Sequence, residues 1–113
     1  MGTSIIHINP YDNRVNVKVE GSFSERDISA FFRKYTEEVT LIPPAEFAIE
    51  VDCTALDYDS PLRNQLLEKS YERFKEDGFA SILFIVLETF VPLPPSLKEK
   101  AKLQIPEVQI KVV

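Results

Sequence analysis

The stretch RVNVKVEG, Arg14 to Gly21, alternates without a break. Val15, Val17 and Val19 share one side of the chain, and Arg14, Asn16, Lys18 and Glu20 share the other. A period of two marks a β-strand, and a charged second side means that one face meets water. The pattern returns in EFAIEVDC, where Phe47, Ile49, Val51 and Cys53 oppose Ala48, Glu50 and Asp52. Two half-wet strands constrain the whole fold: the elements that pack on them must cover one side of the sheet more fully than the other.

Between these strands the apolar period changes. In SFSERDISAFFRKYTEEV, residues Ile28, Phe31, Phe32, Tyr35 and Val39 fall on one helical stripe. Ser24 is placed to cap that helix, and Glu25 and Asp27 occupy the first turn, where the helix dipole favours carboxylates. The prolines of the segment Ile42 to Pro44 end it. A second helix is expected from Ser60 to Asp77, with Ser60 as its cap and Pro61 in the first helical position. Its stripe is Leu62, Leu66, Leu67, Tyr71 and Phe74, and Gly78 suits its C-terminal stop.

The remaining segments complete the order. SIIHI reads as a strand that the turn formers of PYDN fold back onto RVNVKVEG as a hairpin. ASILFIVLE is apolar on both faces and reads as a central strand. TFVPLPPS reads as a stiff loop, PSLKEKAKLQI as a short helix beginning near Pro95, and EVQIKVV as a last strand. The expected order is β-β-α-β-α-β-α-β, an N-terminal hairpin followed by alternating helices and strands. That is an α/β fold with a mixed, mostly parallel sheet of four to five strands and right-handed crossovers. Its 113 residues make a single domain, 1–113.

Composition narrows the function classes. A net charge of −5, with Lys and Arg scattered along the chain, repels a phosphate backbone, so no nucleic-acid partner is expected. No apolar run approaches the roughly 20 residues of a membrane span; the longest, Ile82 to Leu87, has the length of a strand. The lone Cys53 cannot form an internal disulfide, and MGTSIIHINP lacks the layout of a signal peptide, so a cytoplasmic location is expected.

Chemistry-bearing residues are few. His7 is the only histidine and has no Ser or Cys partner placed by a motif, so no catalytic triad or dyad can be assembled. No metal-ligand set and no Gly-rich phosphate loop is present in the sequence, which points away from an enzyme and from any metal or cofactor. Asp52, Asp57 and Asp59 cluster near the C-terminal end of a strand. They read as turn acids, although α/β sheets bind ligands at such ends, so a small-ligand-binding domain stays open as an alternative. Ser60 is the residue with two readings. As a cap its hydroxyl is worth about 1 kcal/mol, and a phosphate on it would sit at a helix N-terminus, which favours anions.

Three stretches together, VNVKVEGSFS, FAIEVDCTALDYDS and GFASILFIVLE, resemble the STAS domain of bacterial anti-sigma factor antagonists and of sulfate-transporter tails. The similarity extends over nearly the whole chain. In antagonist members a serine following an aspartate at the start of the second helix is phosphorylated by a kinase-type anti-sigma factor, which breaks the complex, and a phosphatase restores it. Asp59 and Ser60 match that pair. The resemblance therefore implies a non-catalytic, cytoplasmic protein-interaction module of a bacterial regulatory system, a phosphoprotein with Ser60 as the modified residue. Its partner would bind around Ser24, Asp57, Asp59, Ser60, Leu62 and Arg63. Pro61 and Leu62 stand where the family usually carries a small residue and a glycine. They favour the alternative of a STAS-like scaffold without the switch, self-associating as a homodimer or built into a larger assembly.

Overall fold

In the computed structural model, the residues described are 1–57, 62–87 and 108–113. They form a five-stranded sheet with two helices. The strands are β1 (Thr3–Asn9), β2 (Arg14–Gly21), β3 (Ala48–Leu56), β4 (Ser81–Val86) and β5 (Val108–Val112), and the helices are α1 (Glu25–Val39) and α2 (Arg63–Asp77). Spatial order follows chain order, β1-β2-β3-β4-β5. β1 pairs antiparallel with β2, and every later pair is parallel. The short helix expected near Pro95 lies outside the described residues.

The hairpin expected at PYDN forms. Asn9 Oδ1 accepts from the backbone N–H groups of Tyr11 and Asp12, an Asx turn. Asn13 adopts φ +52°, the left-handed conformation that asparagine tolerates better than most residues. The resulting register sets Ile6 opposite Val17 and His7 opposite Asn16.

One face of the sheet carries the core. Val15, Val17 and Val19 of β2, Ile49, Val51 and Cys53 of β3, and Ile82, Phe84 and Val86 of β4 pack against Ile28, Phe31, Tyr35 and Val39 of α1 and Leu66, Leu67, Tyr71 and Phe74 of α2. A parallel sheet whose strands are laid down in steady order sends each right-handed crossover to the same side. Both helices therefore share one layer. β4 is an interior strand, as expected, but it is not buried on both faces: Leu83 and Ile85 on its second side are half-buried. Neither of the two described helices reaches that side, where these residues are half-buried.

Two element boundaries differ from the sequence reading. β3 runs three residues past Cys53 to Leu56, because a bulge resets its period. Lys18 pairs with Asp52 and Glu20 with Ala55, so Cys53 and Thr54 together oppose the single Val19. After the bulge, Leu56 rather than Ala55 points into the core. Asp52 Oδ1 accepts from both the backbone N–H and the hydroxyl of Thr54, at 2.9 and 2.6 Å, and fixes the irregular turn of backbone. The second correction is at α2, which begins at Arg63 and not at Ser60. Leu62 takes the cap position and packs against the core, and its carbonyl accepts the first helical bond from Leu66. Leu62 offers no side-chain acceptor, and the Ser60 hydroxyl expected to cap the helix lies outside the described residues.

Candidate functional site

The C-terminal edge of the parallel strands gathers most of the described candidates. β2 ends at Gly21 and β3 at Leu56, and the ladder continues one bond further, with Asp57 N–H donating to the Gly21 carbonyl at 2.9 Å. Ser24 follows β2 after two residues, Ser22 and Phe23, and Asp57 follows β3 directly; both are exposed. Leu62 and Arg63 open α2, which returns from this edge to the start of β4. Ser24, Asp57, Leu62 and Arg63 thus belong to one rim of the molecule. Asp59 and Ser60 lie outside the described residues.

The two helix starts at this rim differ. At α1, Ser24 Oγ accepts from Asp27 N–H, while Asp27 Oδ2 accepts from Ser24 N–H, each at 3.1 Å, a reciprocal capping box. Gly2 N–H donates to the same carboxylate oxygen at 3.1 Å. These backbone bonds, Ser24 first and Gly2 second, hold the Asp27 carboxyl below the usual aspartate range. The Ser24 side chain is therefore committed to its own helix, and what it offers a partner is limited to its exposed surface. At α2, Leu62 supplies no side-chain cap, and no acidic residue stands in the first turn.

A second surface was not anticipated as a unit. On the side of the sheet away from the helices, Ile5, Lys18, Asp52 and Ile85 lie in one cross-strand row, with His7, Asn16 and Glu50 in the next. They border a shallow depression of about 300 Å³. Arg14 pairs with Glu50 and Lys18 with Glu20, the latter at 3.5 Å. Burial opposes ionisation of Asp52, but the Thr54 hydroxyl and N–H and the Lys18 ammonium overrule it and hold the carboxyl below its ordinary value. The alternation in the sequence already put Asn16, Lys18, Glu50 and Asp52 on wet faces. Their adjacency depended on the order of strands that are far apart in the chain.

Among the described residues neither surface brings a catalytic set of side chains together. His7 is exposed on the edge strand, and Asn16 stands between it and Glu50 in the register. Cys53 is fully buried, as its place in the apolar series implies. Among the described residues no group of three His, Cys, Asp or Glu side chains is placed to hold a metal ion. Ligand crevices of open α/β sheets form where strand order reverses, and the run from β2 to β5 has no reversal. Among the described residues no helix is long and apolar enough to cross a membrane. No protein-family model matches the chain, and no curated protein matches it.

Proposed function

We propose that this chain is a non-catalytic protein-interaction module that binds its partner at the rim formed by the ends of β2 and β3 and the start of α2. The observation that carries this reading is the junction of Asp57 N–H with the Gly21 carbonyl at 2.9 Å. It holds two adjacent strand ends in register, so the exposed residues that follow them, Ser24 and Asp57, are presented by rigid backbone rather than by free loops. Binding residues set on a rigid scaffold lose little entropy when a partner docks.

The resemblance to antagonist STAS domains extends the proposal to a bacterial, cytoplasmic regulatory system with a kinase-type anti-sigma factor as the partner and Ser60 as the switch. A phosphate there would add about −1.5 to −2 charge to a chain already at −5. It would repel an acidic partner surface and break the complex. The test is phosphosite mapping of the protein isolated from its own cells under several growth conditions, with Ser60→Ala and Ser60→Glu compared for partner binding. The switch predicts phosphorylated Ser60 and loss of binding in Ser60→Glu alone. Unmodified Ser60 in every condition sinks it. Pro61 and Leu62 support the second reading, a scaffold without a switch, in which both variants bind as the parent does.

A further inference from the structure

We propose that two copies of this chain associate through β1, antiparallel across a two-fold axis at Ile6, into one continuous sheet. Among the described residues β1 is an edge strand, with β2 on one side and no strand on the other. An edge of this kind is ordinarily blunted by charge, proline or a bulge. β1, Thr-Ser-Ile-Ile-His-Ile-Asn, contains no Lys, Arg, Asp, Glu or Pro of its own, its pairing with β2 is unbroken over all seven residues, and the charge that reaches its outer edge is Lys34 Nζ of α1 on the Ser4 carbonyl. It also carries an exposed or half-exposed isoleucine on each side. Ile5 is 57% exposed on the side away from the helices, and Ile6 and Ile8 are only partly buried against the core.

The free backbone groups can be assigned by parity. Lys34 Nζ on α1 donates to the Ser4 carbonyl at 2.8 Å. In an antiparallel ladder the N–H and C=O groups of alternate residues point to opposite edges, so a Ser4 carbonyl turned from β2 puts the free groups of Ile6 and Ile8 on the same side. A two-fold axis at Ile6 then pairs Ser4 with Ile8 of the other copy and Ile6 with its own counterpart. All seven residues find partners, and Ile5 falls opposite His7.

Charge favours a second copy as the occupant. Each chain carries −5 overall, so two copies repel except where the contact is uncharged or complementary. β1 is uncharged, and α1 is complementary to itself. α1 runs parallel to β1, as shown by Asp27 meeting Gly2 and Lys34 meeting Ser4. Asp27, Lys34 and Glu38 form one stripe on this flank. A helical side chain leans toward its N-terminus, so the Lys34 backbone lies beyond Ser4 toward Ile6, and Glu38 is one turn further. The axis passes between them, setting Lys34 of each copy against Glu38 of the other once Lys34 gives up the Ser4 carbonyl that it holds in the single chain. α1 packs over β1.

The test is sedimentation equilibrium of the whole chain from micromolar to submillimolar concentration, with circular dichroism confirming that each variant is folded. The parent should approach twice the 12.9 kDa chain mass. Ile5→Lys alters an exposed position and Ser4→Pro removes a free-edge N–H, and both should sediment as monomers. Lys34→Glu and Glu38→Lys should each weaken association about tenfold or more, while the double charge reversal restores it. Oxidation of the Ile5→Cys/His7→Cys variant should give covalent dimers, because residues opposite one another in a non-hydrogen-bonded pair lie about 4.5 Å apart. A parent that stays monomeric throughout overturns the proposal. So does a dimer indifferent to Ile5→Lys and Ser4→Pro.

Discussion

The Tyr35 hydroxyl donates to Asp77 Oδ2 across 2.5 Å, joining the middle of α1 to the last residue of α2. Arg73 closes the same site from the second helix. Its Nε donates to Asp77 Oδ2 at 3.2 Å, its Nη2 donates to Thr36 Oγ1 at 3.1 Å, and its guanidinium lies 5.4 Å from the Tyr35 ring centroid. The two helices are thus fixed to each other by polar contacts as well as by apolar packing. Burial, and then the Asp77 carboxylate, push the Tyr35 phenol well above the ordinary tyrosine range.

Tyr35→Phe should cost about 1.5 kcal/mol in urea denaturation at neutral pH, since it removes one hydrogen bond to a charged acceptor and keeps the ring. The pH dependence has a definite sign. Above the ordinary value of 10.0 the unfolded chain releases the phenolic proton while the folded chain retains it, so this contribution to stability falls as pH rises. The alkaline decline should be shallower in Tyr35→Phe than in the parent. Equal slopes would show that Tyr35 titrates as it does in the unfolded chain.

Gly21 ends β2 at φ +80°, and a Cβ added there would sit 2.6 Å from the Met1 carbonyl oxygen. Gly78 has nearly the same φ, +82°, but its Cβ would meet nothing within 4 Å. Conformation alone costs an L-residue roughly 1–2 kcal/mol in this region. Gly78→Ala should therefore show only that loss, whereas Gly21→Ala should exceed it and also disturb the Asp57–Gly21 bond at the rim. Urea midpoints of the two variants make the comparison, and equal losses would dismiss the backbone clash.

The legibility of this fold in the sequence followed the range of the interactions. The α1 stripe and its Ser24 cap were readable because a helix is specified by neighbours within a few residues. β2 was readable for the same reason, its alternation being unbroken. The end of β3 was not, because the bulge opposite Val19 places Leu56 inward where strict alternation calls for Ala55. Ser60-Pro61 carries a local helix-start signal, yet Leu62 is drawn to the core and α2 starts after it. The charged surface of Lys18, Glu50 and Asp52 became a unit only through the pairing of β2 with β3. The tie from Tyr35 to Asp77 likewise joins residues that no local period connects.

Cys53 lies at full burial between Asp52 and the bulge residue Thr54. Burial chiefly, and the Asp52 charge in addition, push its thiol up to about 12. Only the thiolate attacks disulfide reagents, so the folded protein should resist Ellman's reagent at mildly alkaline pH over hours. One thiol per chain should react promptly once urea unfolds it. Rapid stoichiometric labelling without denaturant would contradict both the burial and the thiol assignment.

Asp27 makes the acid limb of stability testable. Its carboxyl is held low by the N–H groups of Ser24 and then Gly2, so the folded state binds that proton less readily than the unfolded state does. Its contribution is present above the ordinary aspartate value of 3.8 and disappears as pH falls through the lowered value. Asp27→Asn should lower Tm at neutral pH, and the gap to the parent should close in acid as the parent's own carboxylate is protonated. Ser24→Ala breaks the other half of the capping box and should lower Tm at both pH values, because a hydroxyl does not titrate. If the Asp27→Asn gap persists unchanged in acid, the charge is not what the box uses, and the amide geometry alone accounts for the loss.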